Sequence, residues 1–508
     1  MINYALSIIS FLLVVYITGV SKGRCSFFWY FLCLLVIVLI VIQVTSLLTI
    51  GSYVPALAIS NIREASEVGN GVVIKFISIL IPALIFTLVF SVKMKRISPW
   101  YAKYILFPFL FIPGTPIYGV IDSLSELVKE NNIYSRYAKD RDVTYKALYK
   151  NSVSVDSNKD EFISERKNII VIFTEGMSYD VISEKITPNI YKFSKRSLNI
   201  INYYNHTAAT FRGLRGQLSS SHQVSGGYTK DGSGIGQLTN DSVLKKFNGS
   251  SSVDSLINDI KNNNYNAFFQ AANRRSAQLS VMLSTLGFDR IYGIDDEVNL
   301  KKWQIDELTD KESYSMILKN AESFEKEGKP FFYGVYTVGT HIGLDSPDEK
   351  YGNGDNPYLN KFHNLDYQFG KFIDEFDKSS LSKNTTVIFT ADHATYPEPG
   401  FVKTFGTKSP YFVDRIPLMI YQKGMNPSVI NANGINSLSL APTIADILNF
   451  NNMKNHFIGV SLFSRGRHSD LECISAIGSF YVKTCGGKIS MYDGDELTKI
   501  KKLQSLGR

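Results

Sequence analysis

Cysteine is scarce in this chain, at four in 508 residues. Cys25 and Cys33 lie in or beside a long apolar stretch, which leaves one pair, Cys473 and Cys485, for the polar remainder. A scaffold stapled by several disulfides is therefore excluded. Basic runs interleaved with aromatics are missing, as is any recognised nucleic-acid motif, which argues against a nucleic-acid partner. The net charge of +8 then reads as an ordinary basic surface, or as one suited to anionic lipid head groups. There is no internal repeat and no low-complexity tract. The amino terminus, Met1-Ile-Asn, lacks the basic residues that open a cleaved signal peptide.

Long apolar runs are plentiful, but only in the first part. A length of 508 residues implies two or more units, and hydropathy splits them near residue 120. Residues 4–20, 27–50 and 72–92 are each long enough to cross a bilayer, which takes about 20 residues. Residues 104–120 form a shorter fourth run with Pro108, Pro113 and Pro116, either a span or an interfacial segment. Lys22 and Arg24 follow the first run, and Lys93, Lys95, Arg96 and Lys103 follow the third. The positive-inside rule puts both connections in the cytoplasm, so a fourth crossing leaves everything beyond it outside. Cys473 and Cys485 flank an alternating strand–turn–strand stretch. A disulfide there fits an oxidising compartment, and two separate thiols are the alternative. We take the four-span reading: about four helices over 1–120, a polar juxtamembrane linker over 121–167, and an exported domain over 168–508.

From Asn168 onward, strands alternate with helices. Ile169-Ile-Val-Ile-Phe, residues 265–270, Phe331-Phe-Tyr-Gly-Val-Tyr, Thr386-Val-Ile-Phe-Thr-Ala and Ile416-Pro-Leu-Met-Ile-Tyr read as short buried strands. Val253, Leu256, Ile257 and Ile260 recur at helical spacing, as do Phe362, Leu365, Phe369, Phe372, Ile373 and Phe376. Residues 438–450 read as a further helix. The alternation implies an α/β fold: a mixed, largely parallel sheet covered by helices on both faces.

Chemistry gathers at the strand ends. Glu175 follows Val-Ile-Phe-Thr, and Asp392–His393 follows Val-Ile-Phe-Thr-Ala, so both acids should leave the same sheet edge. Two carboxylates and an imidazole suit one divalent metal ion, Mn or Zn, with Mg also compatible. Thr210 lies between them in sequence, with Arg212 and Arg215 after it. As a fourth ligand its hydroxyl would become nucleophilic, and the arginines, with Arg274 and Arg275, match phosphate oxygens. His341 ends another strand. Each residue also has a plainer reading. Glu175 could be a helix N-cap or first-turn acid, Thr210 an N-cap, Arg212 and Arg215 surface pairs, and Arg274 and Arg275 a solvated loop. His341 alone could be structural, and His363 reads as exposed on its helix. His206 and His222 fit either role, and His456 and His468 fit no pattern.

Several stretches carry a family resemblance: NIIVIFTEGMSYDVI, ATFRGLRGQL, NNNYNAFFQAANRR, GTHIG, LDYQFGKFIDEF, TTVIFTADHATY, RIPLMIY, LAPTIADIL and FIGVSLF. Over residues 168–463 the chain resembles the sulfatase-like branch of the alkaline-phosphatase superfamily. It is most similar to lipoteichoic acid synthases and the related phosphoglycerol and phosphoethanolamine transferases. The resemblance implies a polytopic enzyme of the bacterial plasma membrane with its catalytic domain outside. It implies metal ligands at Glu175, Thr210, Asp392 and His393, Thr210 as nucleophile, and substrate contact at His341. It also implies a phospholipid donor (phosphatidylglycerol or phosphatidylethanolamine) and an acceptor hydroxyl. Gln270 stands where the synthases carry a substrate-binding histidine, and Phe211-Arg-Gly-Leu-Arg-Gly departs from their pattern. With a single cysteine pair, the chain looks like a Gram-negative relative, whose acceptor is a glycan or lipopolysaccharide. A sulfatase would need a Cys/Ser-x-Pro-x-Arg motif, which neither Cys473 nor Cys485 has and which Thr210 cannot replace. Hydrolysis with water as acceptor, and a non-catalytic lipid sensor, are the competing readings.

Overall fold

The structure is a computed structural model. It describes residues 2–20, 26–50, 53–54, 59, 70–94, 101–137, 157–221, 255–272, 277–293, 307–406, 412–450, 457–465, 470–477 and 480–491. The chain divides into two compact units, residues 1–131 with 397–399, and residues 132–396 with 400–508.

In the first unit, α1 (Ile2–Val20), α2 (Ser26–Ile50) and α3 (Asn70–Met94) are each long and apolar enough to cross a membrane. Their surfaces are inverted relative to a water-soluble bundle. Ile8, Leu12, Phe31, Ile77, Ile81 and Leu88 are exposed, while Ser7, Ser10, Thr18, Gln43, Thr45 and Thr49 are buried. Such a pattern suits lipid outside and polar contacts between helices. Thr18, Thr45 and Thr49 each donate to the carbonyl four residues earlier, at 2.7, 2.8 and 2.7 Å. Gln43 Oε1 accepts from the Val54 N–H at 2.8 Å, so its polar end is satisfied inside the unit. A bent pair follows: α4 (Ala102–Leu106), running into a 3-10 turn, and α5 (Pro116–Tyr137). Residues 102–111 and 116–125 meet at 52°, so the pair is one broken span or a re-entrant loop. Gly114 at φ +90° makes the corner, and Thr115 Oγ1 donates to the Leu110 carbonyl at 2.6 Å.

The second unit holds β1 (Asn168–Thr174), α6 (Pro188–Arg196), β2 (Leu198–Ile201), α7 (Thr210–Ser219), α8 (Leu256–Asn262), β3 (Asn266–Gln270), α9 (Ala277–Thr285) and β4 (Arg290–Tyr292). It continues with α10 (Asp310–Glu325), β5 (Phe331–Thr337), α11 (Pro357–Lys378), β6 (Thr385–Ala391), α12 (Pro399–Phe405), β7 (Leu418–Tyr421), β8 (Ser428–Asn431) and α13 (Leu440–Ile447). Among the described residues these strands form one eight-stranded sheet in the order β4-β3-β5-β1-β6-β7-β2-β8. Only β7 runs against the rest, pairing antiparallel with β6 and β2. Every residue of β1, β5 and β6 is buried, so both faces of the sheet centre are covered. Leu365, Phe369, Phe372 and Phe376 of α11 are buried within the same core cluster, as the helical spacing required. His363 on that helix is half-buried, not simply exposed: Nδ1 meets the Ile186 carbonyl at 3.2 Å and the ring packs edge-on to Tyr351.

A small sheet of β9 (Ile474–Ile477), β10 (Phe480–Lys483) and β11 (Ser490–Met491) follows. Cys473 and Cys485 are joined across it, with Cα atoms 5.0 Å apart.

Candidate metal centre and nucleophile

β1 lies beside β6 in parallel, with Thr174 opposite Ala391. The next residues, Glu175 and Asp392, therefore leave the same edge side by side. Their loops are stitched together. Gly176 N–H donates to Asp392 Oδ1 at 2.8 Å, Met177 N–H to the His393 carbonyl at 3.0 Å, and Thr395 Oγ1 to the Gly176 carbonyl at 2.6 Å. Gly176 turns at φ +49°, and a Cβ there would lie 3.4 Å from the His393 ring.

His393 Nδ1 bonds the Ala394 carbonyl at 2.8 Å. A carbonyl only accepts, so Nδ1 carries a proton and Nε2 is the ring atom turned toward the two carboxylates. Nε2 sits 3.3 Å from Glu175 Oε1 and 3.4 Å from Asp392 Oδ2. One ligand atom from each residue lies within 4.8 Å of the other two, and all three residues are buried. Asp392 Oδ2 has no hydrogen-bond partner among the described residues. The electrostatics agree. Burial and the neighbouring Glu175 push the Asp392 carboxyl up to about 8. Burial would lower His393, but Asp392 and Glu175 lift it to about 9. Burial opposes charge on Glu175 too, yet His393 holds its carboxyl well below the usual range. Two buried carboxylates converge on one imidazole with an orphaned oxygen among them, and this donor set fits a divalent cation.

Thr210 is the first residue of α7, and Ala209 before it takes the capping position without a side-chain cap. Its hydroxyl turns away from the helix and donates to Glu175 Oε2 at 2.8 Å. The N-cap reading of Thr210 is thus set aside. Ala209 holds φ 73° and ψ 142°, a conformation nearly confined to glycine. Strain of this kind, of order 1–3 kcal/mol, is characteristic of functional sites. Thr210 stands at the positive end of the α7 dipole.

Glu175 occupies the turn after β1, so the helix-cap reading fails for it too. Tyr336 donates to the same Oε2 that Thr210 bonds, and Thr340 Oγ1 donates to the Glu175 carbonyl. His341 follows on the loop after β5, its backbone N–H on the Val338 carbonyl at 2.9 Å. It is half-buried and close enough to act electrostatically on Glu175. Arg212 and Arg215 are buried, which corrects the surface-pair reading. Gln270 is buried with both ends of its amide used inside the fold: Nε2 donates to the Ser313 carbonyl at 3.0 Å and Oε1 accepts from Tyr333 at 2.6 Å. His206 is buried, with Nδ1 2.6 Å from Ser437 Oγ. Arg274, Arg275, His222, His456, His468 and Cys25 lie outside the described residues.

Sequence reasoning missed Tyr336, Gln217 and the aromatic wall. Phe412 packs edge-on to His393 at 5.2 Å and against Tyr396 at 3.9 Å between ring centroids. Burial pushes the Tyr396 hydroxyl up to about 12 against the pull of Arg212. Tyr336 was within reach, since it stands at the carboxyl end of the strand that leads to His341; the partners of Gln217 are distant in sequence.

A family model described as Sulfatase matches residues 167–450, more than half of the chain. The chain belongs to the sulfatase family. Two solved structures share the fold of this sulfatase-family chain. One is a protein in the alkaline phosphatase superfamily from Vibrio parahaemolyticus: 18% identity, TM-score 0.51, 68% of this chain and 86% of that one. The other is the lipoteichoic acid synthase LtaP from Listeria monocytogenes: 17% identity, TM-score 0.51, 70% of this chain and 93% of that one. The likeness to the sulfatase-like branch and to a lipoteichoic acid synthase fold is thereby borne out. Members of the sulfatase family are metal-dependent enzymes, and helices apolar enough for a membrane precede the family domain here.

Proposed function

We propose that this chain is a membrane-anchored transferase. It moves a phospho-alcohol head group, phosphoglycerol or phosphoethanolamine, from a phospholipid to a cell-surface glycan or lipopolysaccharide. The observation that carries the proposal is the Thr210 hydroxyl bonded at 2.8 Å to Glu175, within the cluster of Glu175, Asp392 and His393.

Glu175, Asp392 and His393, with Thr210 Oγ1 beside them, would hold a divalent ion (Mn or Zn, with Mg also compatible) that lowers the hydroxyl pKa and neutralises charge on a phosphoryl oxygen. Thr210 Oγ attacks the lipid phosphorus, and its proton leaves toward Glu175 Oε2, the atom it already bonds. The bond from phosphorus to the diacylglycerol oxygen breaks as the bond to Thr210 forms. His341 gives the departing oxygen its proton. Arg212 and Arg215, with Arg274 and Arg275, balance charge on the remaining phosphoryl oxygens. The acceptor hydroxyl then attacks phosphorus and gives its proton to His341, the bond from phosphorus to Thr210 Oγ breaks, and the proton held at Glu175 returns to restore the Thr210 hydroxyl. Gln270 is left out of this scheme because its amide is used within the fold.

Placement outside a bacterial plasma membrane is supported by the basic connections after the first and third helices, and by the Cys473–Cys485 bond, which suits an oxidising compartment. The test uses the full chain in lipid nanodiscs containing head-group-labelled phosphatidylglycerol or phosphatidylethanolamine. Wild type should trap label on the peptide containing Thr210, and Thr210→Ala should trap none. Lipid turnover without an adduct on Thr210 would refute the covalent route. Head group released into water in the presence of acceptor glycans would favour the hydrolase reading.

A further inference from the structure

We infer that Gln217 is a positioning residue that locks the nucleophile helix to the metal-ligand strand. The inference rests on the reading of Thr210 as nucleophile and of Asp392 as ligand. Thr210, Gly213 and Gln217 are spaced by three and four residues, so they share one face of α7. That face lies on the end of β6. A Cβ at Gly213 would come within 2.3 Å of the Asp392 carbonyl oxygen, so this contact is made at glycine distance. One turn further on, Gln217 Nε2 donates to the Ala391 carbonyl at 3.0 Å and to the Asp392 carbonyl at 2.9 Å. Gln217 is fully buried, and its Oε1 has no hydrogen-bond partner among the described residues. The amide is there for its N–H groups.

The sheet explains why the Ala391 carbonyl needs a donor from a helix. β6 pairs with β7 up to Thr390 opposite Leu418. The next position across from Ala391 would be Pro417, which has no N–H to give. Gln217 supplies what the ladder cannot. It thereby sets where α7 lies over the strand that ends in Asp392 and His393. Thr210, seven residues away or about 10 Å along the helix, inherits that placement. Its 2.8 Å contact with Glu175 depends on it.

The test compares Gln217→Met, which keeps the shape and removes both donors, with Gln217→Asn, which withdraws the amide by one methylene. The full chain in nanodiscs is measured for thermal melting, lipid KM, single-turnover rate of adduct formation on Thr210, and Mn2+ affinity by calorimetry. Gln217→Met is expected to melt cooperatively, keep lipid KM within about twofold, and lose about 10–100-fold in adduct rate. Gln217→Asn should fall between it and wild type, and serves alone if Gln217→Met does not fold. A folded variant with the wild-type adduct rate overturns the inference. So does a loss matched by the fraction of protein unfolded. If wild type forms no Thr210 adduct, the covalent reading has failed, and Gln217 is judged by Mn2+ affinity instead. A fall of about tenfold upholds its role and an unchanged value overturns it.

Discussion

Asp310→Asn should stabilise the protein at pH 8 and do little at pH 4. Asp310 opens α10 and is buried beneath the turn that leads to His341. Its Oδ1 accepts the Gly339 N–H at 3.1 Å, and the Asn364 side chain also favours the charged carboxylate. Burial pushes its carboxyl up to about 7; the Gly339 N–H opposes the rise and the nearby Asp348 adds to it. The folded chain thus holds a proton that the unfolded chain releases near pH 3.9. A raised carboxylate contributes its full stability below that lower value and loses it as pH climbs through about 7. Three pH units at about 1.4 kcal/mol each give about 4 kcal/mol by pH 8. Asparagine keeps the volume and the acceptor and cannot charge. The stability gap between variant and wild type should therefore open between pH 4 and pH 8. Paired unfolding curves of the full chain at pH 4, 5, 6, 7 and 8 measure it, since effects common to both proteins cancel. A gap that stays constant with pH, or closes toward pH 8, would refute the reasoning.

Metal removal should also be visible in stability. With Mn2+ or Zn2+ at 100 times its Kd, the folded state gains about 2.7 kcal/mol, so melting should rise with metal concentration and fall with a chelator. Glu175→Gln and Asp392→Asn should abolish that rise, and a rise surviving in both would place the ion elsewhere. Breaking the Cys473–Cys485 bond should cost about 2–3 kcal/mol, because it closes a short loop across a sequence separation of 12. It should also slow adduct formation on Thr210. The small sheet braces the segment before Thr210: Ser475 Oγ donates to the Asn205 carbonyl at 2.6 Å and Thr207 Oγ1 to the Ala476 carbonyl at 2.8 Å. Chemical unfolding and adduct kinetics with and without reductant read both effects.

Much was legible in the residues alone, for reasons of local physics. A bilayer demands long apolar runs, and three of them stand out at the amino end. A sheet covered on both faces demands continuous apolar strands, and Ile169-Ile-Val-Ile-Phe and Thr386-Val-Ile-Phe-Thr-Ala announce themselves. Because these strands end in nearly the same words, Glu175 and Asp392 could be placed on one edge beforehand. The register of Thr174 against Ala391 agrees with that.

The tertiary structure alone decided the rest, because each remaining contact joins segments whose spacing carries no local signal. Strands β1 and β6 became neighbours although some 200 residues separate them in sequence. Thr210 was taken off a helix cap and turned onto Glu175. Gln270 was drawn into the core, where its amide serves Ser313 and Tyr333. Gln217 reads as one more polar helix residue until Pro417 is seen to leave the Ala391 carbonyl short of a donor. Apolar periodicity is written locally and survives in the sequence. Which side chain satisfies a strand end is settled only when distant elements pack, so it had to be read from the fold.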